Sequence, residues 1–475
     1  MPGSSYNINE ISELFQHDRE KTIRVICAGV FETGRTKAGV YEDFLYSMKE
    51  LEELCKACFL APVTRITQNL DHINNSMYVG PGKAEEIREL CADVDAEAVI
   101  FNDSLSPAQF RNLQKELGMP VLDRTALILE IFRSRARTRE SMLQVEYARL
   151  GYIRTRLVGM WDTLGRKGGA SGAMSSRGEG ETQLELDRRS IDKRIAELNR
   201  ELKEVAEERR TRSRRRRRSQ LPLASLIGYT NAGKSTIMNA LLDRYGADAK
   251  ERAGAGDSTE GQETGSTKKV FEADMLFATL DSSVRRISPG RGGDFLLSDT
   301  VGFIHKLPTA LVEAFKSTLE EAADADLLVL VADCSDSHFR SHLEVTENIL
   351  TELGAGGIPR ITVFNKADLC EPKVEYPRLG EEKRDAGRAG EVGKSIYICA
   401  KDDASVEMLA DLICGELYGR LQNAEFLIPY DRGDVVSELM EHATILETEY
   451  TDEGTRIKAE CSPGQLERFR KYVRE

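Results

Sequence analysis

Eight consecutive residues, Gly228, Tyr229, Thr230, Asn231, Ala232, Gly233, Lys234 and Ser235, have the form G-x-x-x-x-G-K-S. An apolar run, Leu223 to Ile227, precedes them, and an amphipathic run, Thr236 to Leu242, follows. Strand, glycine-rich loop and helix is the context in which this spacing cradles phosphate. The glycines let successive backbone N–H groups wrap negative charge at a helix N-terminus. Lys234 is placed to reach β- and γ-phosphates and the Ser235 hydroxyl to hold Mg2+, with Thr236 next in the same candidate set.

Three further stretches follow in an order that matters. Leu296 to Gly302 reads as a strand ending in Asp299, whose carboxylate can hold the Mg2+ shell through water, while Gly302 can offer its N–H to a γ-phosphate. Thr279, within Leu276 to Asp281, is the candidate switch threonine that ligates Mg2+ in the triphosphate state. Asn365, Lys366 and Asp368 follow the apolar run Ile361 to Phe364. The Asp368 carboxylate would accept from guanine N1–H and N2–H2, a donor pair adenine lacks. Cys399, Ala400 and Lys401, after Ser395 to Ile398, can bring a backbone N–H to guanine O6. Asn-Lys-x-Asp alone is a weak signal; four stretches in this order point to a GTPase binding GTP and GDP. Lys234, Thr279 and Gly302 are the groups expected to act on the transferring phosphoryl.

Positioning such a site takes an α/β fold, and 475 residues allow two to four domains. Within an N-terminal domain expected over 1–135, residues 20–135 alternate strand-like runs (Thr22 to Cys27, Ala98 to Phe101, Met119 to Leu122) with helical ones (Phe44 to Phe59, Lys83 to Cys91). That alternation predicts an N-terminal α/β domain with a mainly parallel sheet. Gly80-Pro-Gly-Lys83 resembles a phosphate loop but lacks its span, and is read as a turn capping a helix. Residues 136–219 turn helical, and Ile191, Ile195, Leu198, Leu202 and Val205 trace a narrow apolar seam suited to a two-helix hairpin. Its glycine-rich tip, about 159–182, carries Arg166, Lys167, Gly168, Gly169, Arg177, Gly178 and Gly180 as candidate RNA contacts. The G domain is expected over 220–421, with a polar, disordered insertion at 244–269, and a small α+β C-terminal domain over 422–475.

Charge is unevenly distributed. The chain totals −13, yet Arg133 to Arg218 holds 24 Lys and Arg against 13 Asp and Glu. A basic segment in an acidic chain suggests a polyanion met locally, with RNA the first candidate. The run Arg214 to Arg218 is read either as a phosphate contact or as a solvated linker. Nine scattered cysteines argue against a secreted disulfide framework, and Cys55 and Cys58 lack a second pair for zinc. Cys334, His338 and His342 are spaced for one helix face but lack a fourth ligand. The opening residues show no signal-peptide pattern, and the longest apolar run, Leu327 to Ala332, has strand length. A cytoplasmic protein with no membrane span is expected, with peripheral membrane association left open.

The chain resembles the HflX family of ribosome-associated GTPases, part of the translation-factor-related class. The resemblance rests on Met77 to Lys83, Arg135 to Thr138, Arg177 to Glu185, Gly228 to Ser235, Phe277 to Asp281 and Asp299 to Phe303. It implies binding to the large ribosomal subunit and its RNA, a hairpin tip that approaches the peptidyl-transferase centre, and dissociation of stalled or idle ribosomes in the GTP state. A monomer is expected. Ser282, Cys399 and the insertion depart from the family pattern and bear on switch timing and nucleotide affinity. Phe303 stands where many GTPases carry the glutamine that orients water. A phenyl ring cannot do this, so slow intrinsic hydrolysis stimulated by ribosomes is expected. Asn231 resembles an asparagine that ligates K+ in related GTPases. Two other functions fit the same motifs: a large-subunit assembly GTPase, and a nucleotide-gated ribosome-binding module with negligible hydrolysis.

Overall fold

A computed structural model describes residues 22–33, 40–166, 177–218, 221–246, 276–277, 280, 283–290, 293–300, 302–306, 311, 324–383, 392–419, 422–461, 466 and 469–474. Packing divides the chain into two units. The first is Met1–Arg209 with Met275–Leu280 and His305–Lys316; the second is Arg210–Asp274 with Asp281–Ile304 and Ser317–Glu475.

The first unit begins with β1 (Ile23–Glu32), α1 (Val40–Ala57), β2 (Leu60–Leu70), α2 (Pro81–Asp93) and β3 (Ala98–Phe101). It continues with α3 (Pro107–Leu117), β4 (Val121–Asp123) and α4 (Arg124–Arg135). The strands form one parallel sheet in the order β2-β1-β3-β4. β1 and β3 are almost wholly buried, which is why they appear in the sequence as unbroken apolar runs. The edge strand β2 was not anticipated. It contains Pro62 opposite Val25, and the register then skips Val63 so that Ile26 faces Thr64. Proline is tolerated at such a bulge on an edge, and its presence hides the strand from a periodicity search. Helix α2 does start at Pro81, with Gly80 as its N-cap. α3 is delimited by its own residues: Ser106 and Gln109 form a reciprocal capping box, Pro107 opens the first turn, and Gly118 ends the helix left-handed.

Charge is buried at the carboxyl ends of these strands. Arg124, 1% exposed, pairs with Glu50 of α1 and donates to Asn102 Oδ1 at 3.2 Å. Asp123, fully buried, caps α4 through the Ala126 N–H at 2.9 Å. It also accepts from Tyr152 Oη at 2.8 Å and Arg156 Nη2 at 2.6 Å. Both donors lie on α5 (Arg139–Arg166), so removing the carboxylate would strand a mostly buried guanidinium and weaken the docking of that helix.

The antiparallel partner of α5 is α6 (Arg177–Arg218), 42 residues and roughly 60 Å long. Leu198 and Val205 meet Leu143 in a buried cluster, with Tyr147, Leu150 and Leu202 against it, as the seam predicts. The extent of the tip is corrected: backbone at 159–166 and 177–182 is helical, including Arg166, Arg177, Gly178 and Gly180. Each glycine costs a helix about 1 kcal/mol. Lys167, Gly168 and Gly169 lie outside the described residues. Phe277, 2% exposed, packs edge-on against Phe132 of α4, with ring centroids 4.7 Å apart, within this first unit.

The second unit holds β5 (Leu223–Gly228), α7 (Lys234–Tyr245), β6 (Ser283–Ile287), β7 (Phe295–Asp299), β8 (Leu327–Asp333) and α8 (Phe339–Glu352). It continues with β9 (Arg360–Asn365), β10 (Arg378–Lys383), β11 (Val392–Tyr397) and α9 (Asp403–Tyr418). Its sheet runs β10-β11-β9-β8-β5-β7-β6, parallel except for the two edge strands. Ile237, Met238 and Leu241 of α7 and Leu409 and Ile413 of α9 share a core with the central strands. The expected mainly parallel sheet is present. The polar insertion placed at 244–269 starts later, because α7 runs to Tyr245 and Arg244 is drawn to Glu407 at 2.6 Å; residues 247–269 lie outside the described set. The C-terminal segment, β12 (Gln422–Ile428), α10 (Gly433–His442), β13 (Thr444–Thr451), β14 (Gly454–Cys461) and β15 (Val473–Arg474), forms an antiparallel sheet ordered β13-β14-β12-β15. Phe426, Leu439, Ile457 and Phe469 fill its core.

Among the described residues no helix is long and apolar enough to cross a membrane, and no three His, Cys, Asp or Glu cluster as metal ligands. The spacing of Cys334, His338 and His342 does not translate into one helix face. α8 starts at Phe339, so only His342 lies on it.

Candidate nucleotide-binding site

The loop from Gly228 to Gly233 leaves β5 and enters α7 at Lys234, so the lysine and Ser235 open the helix. Gly233, with φ of 92°, is the N-cap, and a Cβ there would collide with the Asn365 side-chain amide. Gly228 is equally constrained: a Cβ would strike the Val331 carbonyl of β8. Asn231 also takes a positive φ, 59°, and is exposed, while Thr230 and Ala232 are buried. Tyr229 stacks its ring on the buried His342, with centroids 3.8 Å apart and planes 8° from parallel.

Lys234 is 6% exposed, and its Nζ donates to the carbonyls of Gly228 at 3.1 Å and Tyr229 at 2.8 Å. Burial lowers its pKa to about 8, with nearby Asp299 pulling the other way. A desolvated ammonium aimed along the loop is poised to gain from any anion laid there. The Ser235 hydroxyl donates to Asp299 Oδ2 at 3.0 Å, and Asp299 is fully buried at the end of β7. A hydroxyl and a carboxylate held this close form an oxygen-only donor set, which fits a small hard cation such as Mg2+. Thr236 sits half-buried in the first turn of α7.

The Asp299-Thr-Val-Gly302 stretch reaches the loop directly. Phe303 donates its N–H to Gly228 O at 3.1 Å, and its carbonyl accepts from Thr230 N–H at 2.7 Å. Gly302 lies so near that a Cβ would come within 2.9 Å of Thr230 Cα and 3.1 Å of Lys234 Nζ. The phenyl group of Phe303 is only 3% exposed. Thr279 falls outside the described residues.

Asn365, 2% exposed, ties three loops together. Its Nδ2 donates to Ala232 O at 3.0 Å and its Oδ1 accepts from Ala400 N–H at 3.1 Å. Lys366, left-handed with φ of 62°, pairs with Asp333 at 2.8 Å, and exposed Asp368 lies in the short 3-10 turn Ala367–Leu369. Cys399 and Ala400 are buried and Lys401 is exposed. Burial raises the Cys399 pKa, and the adjacent Asp368 carboxylate raises it further. Asp402 then caps α9 through the Ser405 N–H at 2.8 Å. The structure therefore brings Gly228 to Thr236, Asp299, Gly302, Asn365 to Asp368 and Cys399 to Lys401 to the carboxyl end of one parallel sheet. His342 was missed as a partner of Tyr229, because nothing in its own stretch signals a stack more than a hundred residues away.

Three family profiles match in succession: "GTP-binding GTPase N-terminal" over residues 46–133, "GTP-binding GTPase Middle Region" over 135–217, and "50S ribosome-binding GTPase" over 224–366. The GTPase HflX of Caldanaerobacter subterraneus subsp. tengcongensis is 37% identical over 98% of this chain and 96% of its own. That of Akkermansia muciniphila is 40% identical over 80% and 82%. The Escherichia coli GTPase HflX is 36% identical over 86% and 87%. With likeness of this extent over a phosphate loop that lies against Asp299, Gly302 and Asn365, the chain belongs to the HflX GTPase family and is a GTP-binding, GTP-hydrolysing enzyme.

Proposed function

We propose that this enzyme acts on the large ribosomal subunit, dissociating stalled or idle ribosomes in its GTP state, and that its hydrolysis is slow until the ribosome completes the site. The observation that carries the second half is Phe303. Its ring is buried and its backbone is bonded on both sides to the phosphate loop, so the position after Gly302 presents no side chain able to orient water. In this reading Gly228 to Ser235 and Thr236 hold the phosphates, Lys234 and the Gly302 N–H face the γ-phosphate, and Asp368 with the Cys399 to Lys401 backbone reads guanine. Ser235, Thr279 and, through water, Asp299 would hold Mg2+, which supplies charge neutralisation at the transferring phosphoryl. Asn231 is proposed to take K+. The chain is proposed to act as a monomer.

The ribosomal half rests on the "50S ribosome-binding GTPase" profile over residues 224–366 and on the basic hairpin. Arg133 to Arg218 holds 24 basic against 13 acidic residues along two helices packed at Leu143, Leu198 and Val205. A rigid arm of that charge suits ribosomal RNA, with Arg166, Lys167, Gly168, Gly169, Arg177, Gly178 and Gly180 at its end. Sucrose-gradient sedimentation of intact ribosomes with the protein and a non-hydrolysable GTP analogue tests the reading. Subunits should separate, and deletion of residues 168–180 should abolish separation with GTP affinity unchanged. Binding to precursor particles alone would instead indicate assembly of the large subunit, and splitting that survives the deletion would remove the hairpin from the account.

A further inference from the structure

We propose that Cys334 and Cys370 form a redox-modification site, in which a hydroperoxide converts the two thiols to a disulfide and weakens guanine-nucleotide binding. Their sulfurs lie 3.1 Å apart on two different loops. Cys334 directly follows Asp333, the last residue of β8, and Cys370 directly follows the turn Ala367–Leu369 that carries Asp368. Both the N–H and the thiol of Cys334 bond to the Asn365 carbonyl, each at 3.0 Å. Asp333 holds Lys366 at 2.8 Å, so the pair brackets the segment Asn365 to Asp368 from both sides. The inference rests on the reading of that segment as the guanine contact, and not on any ribosomal role.

Neither thiol is part of the apolar cluster under its sheet; Cys370 is buried between the exposed residues Leu369 and Glu371, and Cys334 is half-buried, within reach of a small oxidant. The other close pair is different: Cys27 and Cys55, 3.8 Å apart, are both fully buried in the first unit. That pair serves as an internal comparison. Burial, and then the neighbouring thiol, raise the pKa of Cys334, so the reaction should quicken with alkaline pH.

The chemistry balances in two steps. The Cys334 thiol gives up its proton and the thiolate attacks one peroxide oxygen; the O–O bond breaks, the departing hydroxide takes up that proton, and sulfenic acid and water form. The Cys370 thiol likewise gives up its proton, its thiolate attacks the sulfenic sulfur, the S–O bond breaks, and the departing hydroxide takes up that proton and leaves as a second water. Two thiols and one hydrogen peroxide become one disulfide and two waters. Closing to a bond of about 2.05 Å draws the sulfurs roughly 1 Å together and removes the thiol proton that bonds Asn365. Loss of that hydrogen bond, with displacement of the loop, should weaken nucleotide binding about tenfold.

The test uses full-length reduced protein treated with stoichiometric hydrogen peroxide at pH 8, then non-reducing peptide mass mapping and titration with a fluorescent GDP. A Cys334–Cys370 linked peptide should dominate, Kd should rise about tenfold, and dithiothreitol should restore it. Cys370→Ser should keep the reduced affinity and lose the response; Cys334→Ser carries the same test if the first variant does not fold. Linkage of Cys27 to Cys55 instead, or a Cys334–Cys370 link with Kd unchanged, overturns the proposal. Asp368→Asn in reduced protein separates the two readings. If that variant binds GDP normally, the guanine assignment fails; if it binds weakly while the disulfide has no effect, only the redox proposal fails.

Discussion

Replacing Asn365 by alanine should uncouple the phosphate loop from the loops proposed to read the base. The side chain is 2% exposed and makes two hydrogen bonds, to Ala232 O at 3.0 Å and from Ala400 N–H at 3.1 Å. Alanine leaves one buried acceptor and one buried donor without those partners, at about 1–3 kcal/mol each. In the free protein the two loops can part slightly and admit water, which recovers some of that cost. Bound nucleotide holds both loops in place and excludes the water, so the cost falls on binding. A net loss of about 2–4 kcal/mol corresponds to a Kd raised about 30- to 700-fold. Titration with a fluorescent GDP reads the effect, and far-UV circular dichroism checks that the variant is folded. Asn365→Asp should do no better, since it keeps the acceptor for Ala400 and sets a carboxylate oxygen against the Ala232 carbonyl. A folded Asn365→Ala protein with Kd within threefold of the parent would show that Asn365 does not couple these loops to bound nucleotide.

Three other outcomes follow from the site. Lys234 has a folded pKa of about 8 against an unfolded value of 10.5, because burial disfavours its charge. The unfolded chain therefore holds more protons between these values, and this group's contribution to stability rises as pH increases from 8 to 10.5. Phosphate laid on Lys234 restores its charge, so GDP binding at pH 8 should take up about half a proton. Calorimetry in buffers of different ionisation enthalpy measures the uptake, and zero uptake at pH 8 and pH 9 would exclude the depressed pKa. Gly302→Ala places a Cβ 2.9 Å from Thr230 Cα. Overpacking of about 1–3 kcal/mol should weaken a GTP analogue about 5- to 150-fold while GDP changes less. Equal changes for both nucleotides would argue against contact between Gly302 and the γ-phosphate. Exchange of K+ for Na+ should slow hydrolysis if Asn231 holds the ion, and an unchanged rate removes K+ from the account.

What the sequence made legible was set by how local each signal is. Gly228 to Ser235, Asn365 to Asp368 and the seam from Ile191 to Val205 are short stretches whose spacing carries their geometry, and the structure places them in a loop, a turn and a helix whose Leu198, Leu202 and Val205 pack in a buried cluster. Signals carried by distant partners were not legible. The Tyr229–His342 stack, the Cys334–Cys370 pair and the buried Arg124–Glu50 ion pair each join positions that only the tertiary fold brings together. β2 was missed because Pro62 and the skipped Val63 break its alternation. Helical backbone extends further into the glycine-rich stretch than the sequence suggests, to Arg166 on one side and from Arg177 on the other, because helix propensity is a weak guide to where a helix ends.

In the proposed function the site around Phe303 hydrolyses GTP at a useful rate only when the ribosome completes it. The direct measurement is phosphate release at saturating GTP by full-length protein, alone and with purified large ribosomal subunits. That dependence predicts slow release alone and stimulation of at least about tenfold with subunits, a change of about 1.4 kcal/mol or more in the barrier. Equal rates with and without subunits would contradict it.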